Sequence, residues 1–156
     1  MRLLSFDPGG AKTGTSGVVL LDVPDDAPAT LVAYWAVPND VEGMCVFLES
    51  FDGSEADLLV CEHFTNRNVR GVDLTPCFVE GVIRGWAYTW GRGVVLSPAG
   101  GKNTAVPDDA MERAGFLKND FRGDHHADRW EALRHALWYL KRTDHRPTLE
   151  KMFPNR

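Results

Sequence analysis

The chain has 156 residues, enough for one domain and too few for two ordinary ones. Its composition, 44% hydrophobic and 25% charged, excludes a disordered, collagen-like or disulfide-stapled protein. The 17 basic and 22 acidic side chains give a net charge of −5, which taken alone argues against a nucleic-acid partner. The charge is uneven, however: residues 1–60 carry 2 basic and 10 acidic side chains, and residues 61–156 carry 15 and 12.

Five strands and four helices are predicted along the chain. In chain order they are strands at 3–6, 18–22 and 30–37, a helix opening at 38–40, a strand at 57–61, a helix at 73–90, a strand at 94–96, a helix at 107–114 and a helix from 124 to about 141. The order β-β-β-α-β-α-β-α-α predicts an α/β fold, a mixed five-stranded sheet flanked by helices. We expect a single domain over 1–146 and a loose C-terminal tail over 147–156.

The cysteines and the hydropathy pattern indicate the compartment. Cys45, Cys61 and Cys77 are odd in number and form no C-x-x-C pair, which favours buried free thiols in a reducing cytosol. No signal peptide fits the N-terminus, and no apolar run approaches the ~20 residues that span a bilayer. The sequence therefore predicts a soluble cytoplasmic protein with no membrane partner.

Acidic residues stand where predicted elements would bring them together. Asp7 ends the first strand, and Glu62 directly follows the apolar fourth strand. At ~100° per residue, one face of the last helix carries four possible ligands. These are Asp124, Asp128, Glu131 and His135.

Clustered carboxylates repel one another and are costly to bury, so such a group usually binds a divalent cation. Oxygen ligands suit Mg²⁺ or Mn²⁺, and two ions ~3.5–4 Å apart can drive in-line phosphodiester hydrolysis. Simpler roles stay open: Asp7 as a turn residue, Glu62 as a solvated loop residue, and the helix acids as a solvated face with Asp124 as the N-cap.

Three segments, in this order, resemble the RuvC family of Holliday-junction resolvases, and particularly its short bacteriophage members. They are LLSFDPGGAKTGTSGVVLLD, LLVCEHF and DRWEALRHALWYL. The resemblance implies an RNase H-like fold, a homodimer, and symmetric cutting of four-way junction DNA with divalent metal ions.

The resemblance also implies a metal site. Asp7, Glu62, Asp128 and Glu131 match the family's four catalytic acids, which would hold two Mg²⁺ ions, with Mn²⁺ as a substitute. Glu131 stands where the family more commonly has Asp. An alternative register pairs His125 with Asp128, with Asp124 nearby, but the Ala-Leu run that follows Glu131 favours the first register.

DNA contacts and the dimer interface follow from the same resemblance. Phe64 matches an aromatic residue near the junction, and Lys102 matches a basic residue near the scissile phosphate. The segment after Glu62 offers further phosphate contacts, unless it is merely solvated: Asn66, Arg67, Asn68 and Arg70. The wide apolar stripe of the 73–90 helix is the expected dimer interface, unless the monomer buries it.

The sequence thus predicts a metal-dependent endonuclease acting on Holliday junctions in phage recombination, replication or packaging. The alternatives are a flap-cutting or terminase-type nuclease with a broader range of branched substrates, and a junction-binding protein that does not cut. An actin-like ATP-binding module is excluded, because 156 residues cannot hold its two lobes.

Overall fold

A computed structural model of the chain describes residues 1–9, 14–38, 40–65, 71–121 and 124–154. The strands are β1 (Arg2–Asp7), β2 (Thr15–Asp22), β3 (Thr30–Pro38), β4 (Leu58–His63) and β5 (Val94–Pro98). The helices are α1 (Asp40–Ser50), α2 (Thr75–Thr89), α3 (Lys102–Ala105), α4 (Asp108–Arg113), α5 (His126–Arg142) and α6 (Arg146–Met152).

The strands form one five-stranded sheet in the order β3-β2-β1-β4-β5. β2 runs antiparallel to both β1 and β3, whereas β4 runs parallel to β1 and β5. The central strands are continuous apolar runs because helices cover both faces of the sheet. The predicted mixed five-stranded α/β fold is confirmed.

Each face of the sheet has its own apolar core. Alternate residues of a strand point to opposite faces, so Leu3 packs towards α5, and Leu4 and Phe6 pack towards α1 and α2. The site residues follow this alternation, and those on the α5 face can meet helix α5.

Gly17 lets α5 approach the sheet closely. It is the residue of β2 paired with Asp7 at the end of β1. A Cβ atom at position 17 would lie 2.1 Å from the carbonyl oxygen of Asp128, in the first turn of α5. Only glycine therefore allows this approach, which brings α5 against the end of β1.

The structure corrects several predicted elements. The tail expected to be loose contains α6, whose Leu149 and Met152 are buried against the core. A short helix, α3, lies between the predicted strand at 94–96 and the predicted helix at 107–114, where no element is predicted. Helix α5 begins at His126, so Asp124 is not its N-cap; that position is held by His125, with φ 63°.

The prediction of three buried free thiols is confirmed only in part. All three cysteines are free thiols, but they differ in burial: Cys61 is buried, Cys45 half-buried and Cys77 exposed. The expectation of burial is therefore wrong for Cys77. Within the described ranges, no helix has the length and apolar character needed to cross a membrane.

Candidate metal centre

The parallel pairing of β1 and β4 brings two carboxylates together. Phe6 is paired with Cys61, so the next residues, Asp7 and Glu62, come side by side at the carboxyl edge of the sheet. Both side chains are on the face covered by α5, and both are largely buried. The predicted meeting of these two acids is found in the structure.

His135 of α5 completes the cluster. Its Nε2 atom lies 3.5 Å from Asp7 Oδ1 and 3.7 Å from Glu62 Oε2, and the residue is fully buried. One ligand atom from each of Asp7, Glu62 and His135 lies within 4.8 Å of the others. Together these three residues are called the DEH cluster below.

Ser97 of β5 orients the imidazole ring. Its hydroxyl donates to the Cys61 carbonyl at 3.3 Å, so its oxygen accepts from His135 Nδ1 at 2.6 Å. Nδ1 then carries the hydrogen, and the Nε2 lone pair faces the carboxylates. Such an outer partner is how proteins fix the tautomer of a metal-binding histidine.

The ammonium of Lys102 lies among these groups. Lys102 Nζ is 3.2 Å from Glu62 Oε1 and 3.9 Å from Asp7 Oδ1, and it donates to His135 Nε2 at 2.8 Å. Glu131 Oε2 is also 3.2 Å away, and Lys102 is only 9% exposed. The lysine expected beside the scissile phosphate is thus an internal counter-ion of the acids in this structure.

Glu131 is held from two sides. Lys102 contacts one of its oxygens, and Arg134 Nε donates to both, at 3.1 and 3.3 Å. Arg134 is itself buried and bonded to the Val106 carbonyl and to Asp108. A cavity of about 390 Å³ opens beside Glu131 and Arg134, so a ligand has access to this side of the site.

Burial and mutual repulsion shift the pKa values of the DEH cluster. Burial raises the pKa of Asp7 to about 7, and the adjacent Glu62 carboxylate adds to the rise. Burial also disfavours the ionised form of Glu62, but contacts with His135, Asp7 and Lys102 outweigh it and hold the pKa of Glu62 below its usual value. For His135, burial would lower the pKa, but the same two carboxylates raise it. A cation placed here would relieve the repulsion between the acids.

Asp128 lies beside the cluster but is not part of it. Its backbone packs on Gly17, and its side chain is 3.8 Å from His125. Burial raises the pKa of Asp128 as well. In the alternative register, Asp124 and His125 are exposed. Neither belongs to the three-residue cluster found among the described residues.

The predicted DNA contacts are only partly described. Phe64 is half-buried just beyond β4, and its backbone N–H donates to Glu80 Oε2 at 3.1 Å. The predicted contacts in the next segment, Asn66, Arg67, Asn68 and Arg70, lie outside the described residues.

The sequence names His135 as a possible ligand on one face of the last helix, but the predicted four-acid site does not include it. Ser97 and Arg134, which also shape the site, are not among the predicted residues. Ser97 and Arg134 carry no comparable signal, because their roles depend on packing between β5, α4 and α5.

The DEH cluster suits a divalent cation. Two carboxylates and one imidazole converge within 4.8 Å, the imidazole tautomer is fixed with its lone pair inward, and burial raises the pKa of Asp7, with a further rise from the adjacent Glu62 carboxylate. Carboxylates suit Mg²⁺ and Mn²⁺, and an imidazole suits transition metals, so the mixed set is compatible with Mg²⁺ and with Mn²⁺.

Comparisons with solved structures show the same fold in Holliday-junction resolvases. Thermus thermophilus RuvC superposes with a TM-score of 0.68 and 18% identity, over 92% of this chain and 97% of that chain. The same enzyme in complex with a Holliday junction substrate gives the same TM-score and identity. The fowlpox virus resolvase bound to Holliday junction DNA gives a TM-score of 0.63 and 12% identity, over 92% and 99% of the two chains.

These comparisons confirm that the chain has the fold of RuvC. No protein-family model matches the sequence, and no curated protein matches it significantly.

Proposed function

We propose that this chain is a metal-dependent endonuclease that cuts four-way DNA junctions. The observation that carries the proposal is the DEH cluster at the carboxyl edge of a sheet whose fold is shared with resolvases solved with Holliday junctions. The resemblance of the LLSFDPGG, LLVCEHF and DRWEALRHALWYL segments to RuvC-like proteins supports the same conclusion.

The proposed metal ligands are Asp7, Glu62 and His135, with Glu131 and Asp128 available for a second ion. A bound Mg²⁺ or Mn²⁺ would activate water and stabilise the leaving oxygen of the phosphodiester. Ser97 fixes the orientation of the His135 ring for this role, and Arg134 holds the Glu131 carboxylate.

Lys102 has a proposed second position. With a divalent cation bound by the acids, the ammonium would lose its contacts with Glu62 and Glu131 and could donate to a phosphate oxygen. This reconciles its burial within the cluster with its predicted place beside the scissile phosphate.

DNA binding is proposed for Phe64 and for the basic segment that follows it, with Asn66, Arg67 and Arg70 on phosphates. The net charge of −5 includes Asp7, Glu62, Asp128 and Glu131, which bound cations would neutralise. We expect junction affinity to fall steeply as salt rises, because phosphate contacts release counterions.

A second copy of the chain is the proposed partner on α2. One face of this helix, within about 80° at ~100° per residue, is exposed and mostly apolar. It consists of Leu74, Phe78, Gly81, Gly85 and Tyr88. None of the described residues lies within 4 Å of a Cβ placed on either glycine, so another helix could approach closely there. A F78E/Y88E double variant should sediment as a monomer. V46E, on the exposed side of α1, is the matched control and should leave the dimer intact.

The proposed setting is the cytoplasm of a phage-infected host, in recombination, replication or packaging of phage DNA. Its support is the resemblance to short phage RuvC-like proteins and the three free thiols, which suit a reducing compartment.

A non-cleaving junction-binding protein is the second candidate. Lys102 neutralises the acids without a metal, and Asp128 stands apart from the DEH cluster. A chain that retained the resolvase fold but lost the metal site would show these features.

One substrate panel separates the candidates. A labelled four-way junction, a flap and a linear duplex are incubated with Mg²⁺ or Mn²⁺ and the wild type, D7N or E62Q. The control is D22N, an exposed acid at the far end of β2. Paired symmetric nicks in the junction by wild type and D22N alone support the proposal. Equal cutting of flaps indicates the broader nuclease, and binding without cutting indicates the non-cleaving protein.

A further inference from the structure

Glu80 is a buried carboxylate on the face of the sheet opposite the DEH cluster. It lies on α2, and its side chain is 5% exposed. Glu80 is acceptor-only when ionised, and burying such a group is costly unless donors surround it. The donors that do so come mostly from the end of β4 rather than from α2.

Three groups donate to this carboxylate. His63 Nδ1 lies 3.1 Å from Oε2 and 3.3 Å from Oε1, and the backbone N–H of Phe64 donates to Oε2 at 3.1 Å. Arg84 Nη1 donates to Oε1 at 3.2 Å from one turn further along α2. His63 and Arg84 are about half exposed, so water could satisfy their nitrogens equally well.

The contacts fix the chain where it leaves the sheet. Glu62, the last residue of β4 on the cluster face, is set by its pairing with Ser97. His63, the next residue, forms the last pair of β4 with Pro98, and Phe64 lies past the end of the strand. Glu80 contacts both His63 and Phe64. The direction in which Phe64 leaves the sheet is therefore set by α2.

A buried ion pair is weak evidence for stability, since apolar replacements of similar size are often neutral or stabilising. The distinctive contribution of Glu80 is geometric: one carboxylate fixes a side chain and a backbone amide in consecutive residues.

We propose that Glu80 is a positioning residue that holds Phe64 in the orientation needed to contact a base at the junction. The inference rests on the proposed function, because it assigns Phe64 a DNA contact. Helix α2 also carries the proposed dimer face, so Glu80 links that helix to the DNA-facing end of β4.

The first test does not require DNA. Hydrogen exchange at the Phe64 amide is compared in wild type, E80M and R84M. E80M should exchange at least about tenfold faster, because the amide loses a charged acceptor. R84M removes one contact of Glu80 but leaves the Phe64 bond, so its exchange at this amide should match wild type. Unchanged exchange in E80M overturns the inference.

The second test measures junction binding in EDTA with a double-mutant cycle. E80M should weaken binding at least about tenfold, the scale of one lost aromatic–base contact, while Mn²⁺ affinity stays within about twofold of wild type. In the F64A background, E80M should cause no further loss, because Glu80 acts through Phe64. An equal loss in both backgrounds, or no loss in either, contradicts the inference.

If E80M does not fold, E80Q replaces it. The glutamine side chain keeps one acceptor oxygen, so a smaller rise in the Phe64 exchange rate and a smaller loss of junction affinity are expected. No change in either overturns the inference. A wild type that binds junctions no better than linear duplex overturns the proposed function, whereas the exchange experiment still decides whether Glu80 holds Phe64.

Discussion

Replacing Lys102 with methionine removes the ammonium that holds the acids together in the metal-free protein. Two of its carboxylate contacts, to Glu62 and Glu131, are 3.2 Å long, and the third, to Asp7, is 3.9 Å. The four side chains are 11% to 28% exposed, so solvent screens them little. Breaking a buried ion pair costs about 3–5 kcal/mol.

The lower end of that range applies here. Glu131 keeps its contact with Arg134, and Asp7 can take up a proton. We therefore expect K102M to lose about 3 kcal/mol of unfolding free energy at pH 8 in EDTA. For a domain of this size each kcal/mol lowers Tm by about 2–4 °C, so Tm should fall by about 6–12 °C.

Thermal unfolding with and without Mn²⁺ gives the assay. Mn²⁺ supplies the charge that the ammonium supplied, so it should raise Tm more in K102M than in wild type. K118M is the matched control, because Lys118 pairs with Asp108 at an exposed position and should contribute little. A K102M protein with wild-type Tm in EDTA, or with a wild-type response to Mn²⁺, would refute the assignment of Lys102 as the counter-ion.

Three further predictions follow from the same geometry. In EDTA, D7N should be more stable than wild type at pH 8 but not at pH 5. The pKa of Asp7 is 3.8 in the unfolded chain and about 7 in the folded protein, so the free energy of unfolding of the wild type falls as pH rises between these values. A Tm difference between D7N and wild type that does not vary with pH would contradict this. G17A should lose at least about 1–3 kcal/mol in urea unfolding, since its Cβ would meet the Asp128 carbonyl oxygen at 2.1 Å, and wild-type stability would show that α5 does not pack as described. H135Q should weaken Mn²⁺ binding at the DEH cluster, the tighter site, by at least about tenfold in calorimetry, while D128N should leave that site close to wild type. The reverse ranking would favour the predicted set of Asp7, Glu62, Asp128 and Glu131.

The sheet could be predicted because its strands are short apolar runs between turn residues. Helix α6 is not predicted in the same way, because a proline such as Pro147 breaks the interior of a helix. Proline also suits the first turn of a helix, where the N–H has no partner, and Pro147 is the second residue of α6. Burial of Leu149 and Met152 against the core then decides that the segment is helical.

Only the part of the site that strand pairing determines could be predicted. Asp7 and Glu62 follow apolar strands, and parallel pairing places such residues side by side. Whether His135 or Asp128 joins the two carboxylates depends on how closely α5 approaches the sheet at Gly17. The position of Lys102 depends on a four-residue helix, and no sequence pattern indicates that its ammonium enters the acidic cluster.

The location of Mn²⁺ in crystals soaked with the ion, read from its anomalous scattering, tests the DEH cluster as a metal site most directly. We expect a peak bound by Asp7, Glu62 and His135, with the Lys102 ammonium displaced from Glu62. No peak at saturating Mn²⁺ in wild type, or a peak held by Asp128 and His125 instead, would contradict this assignment.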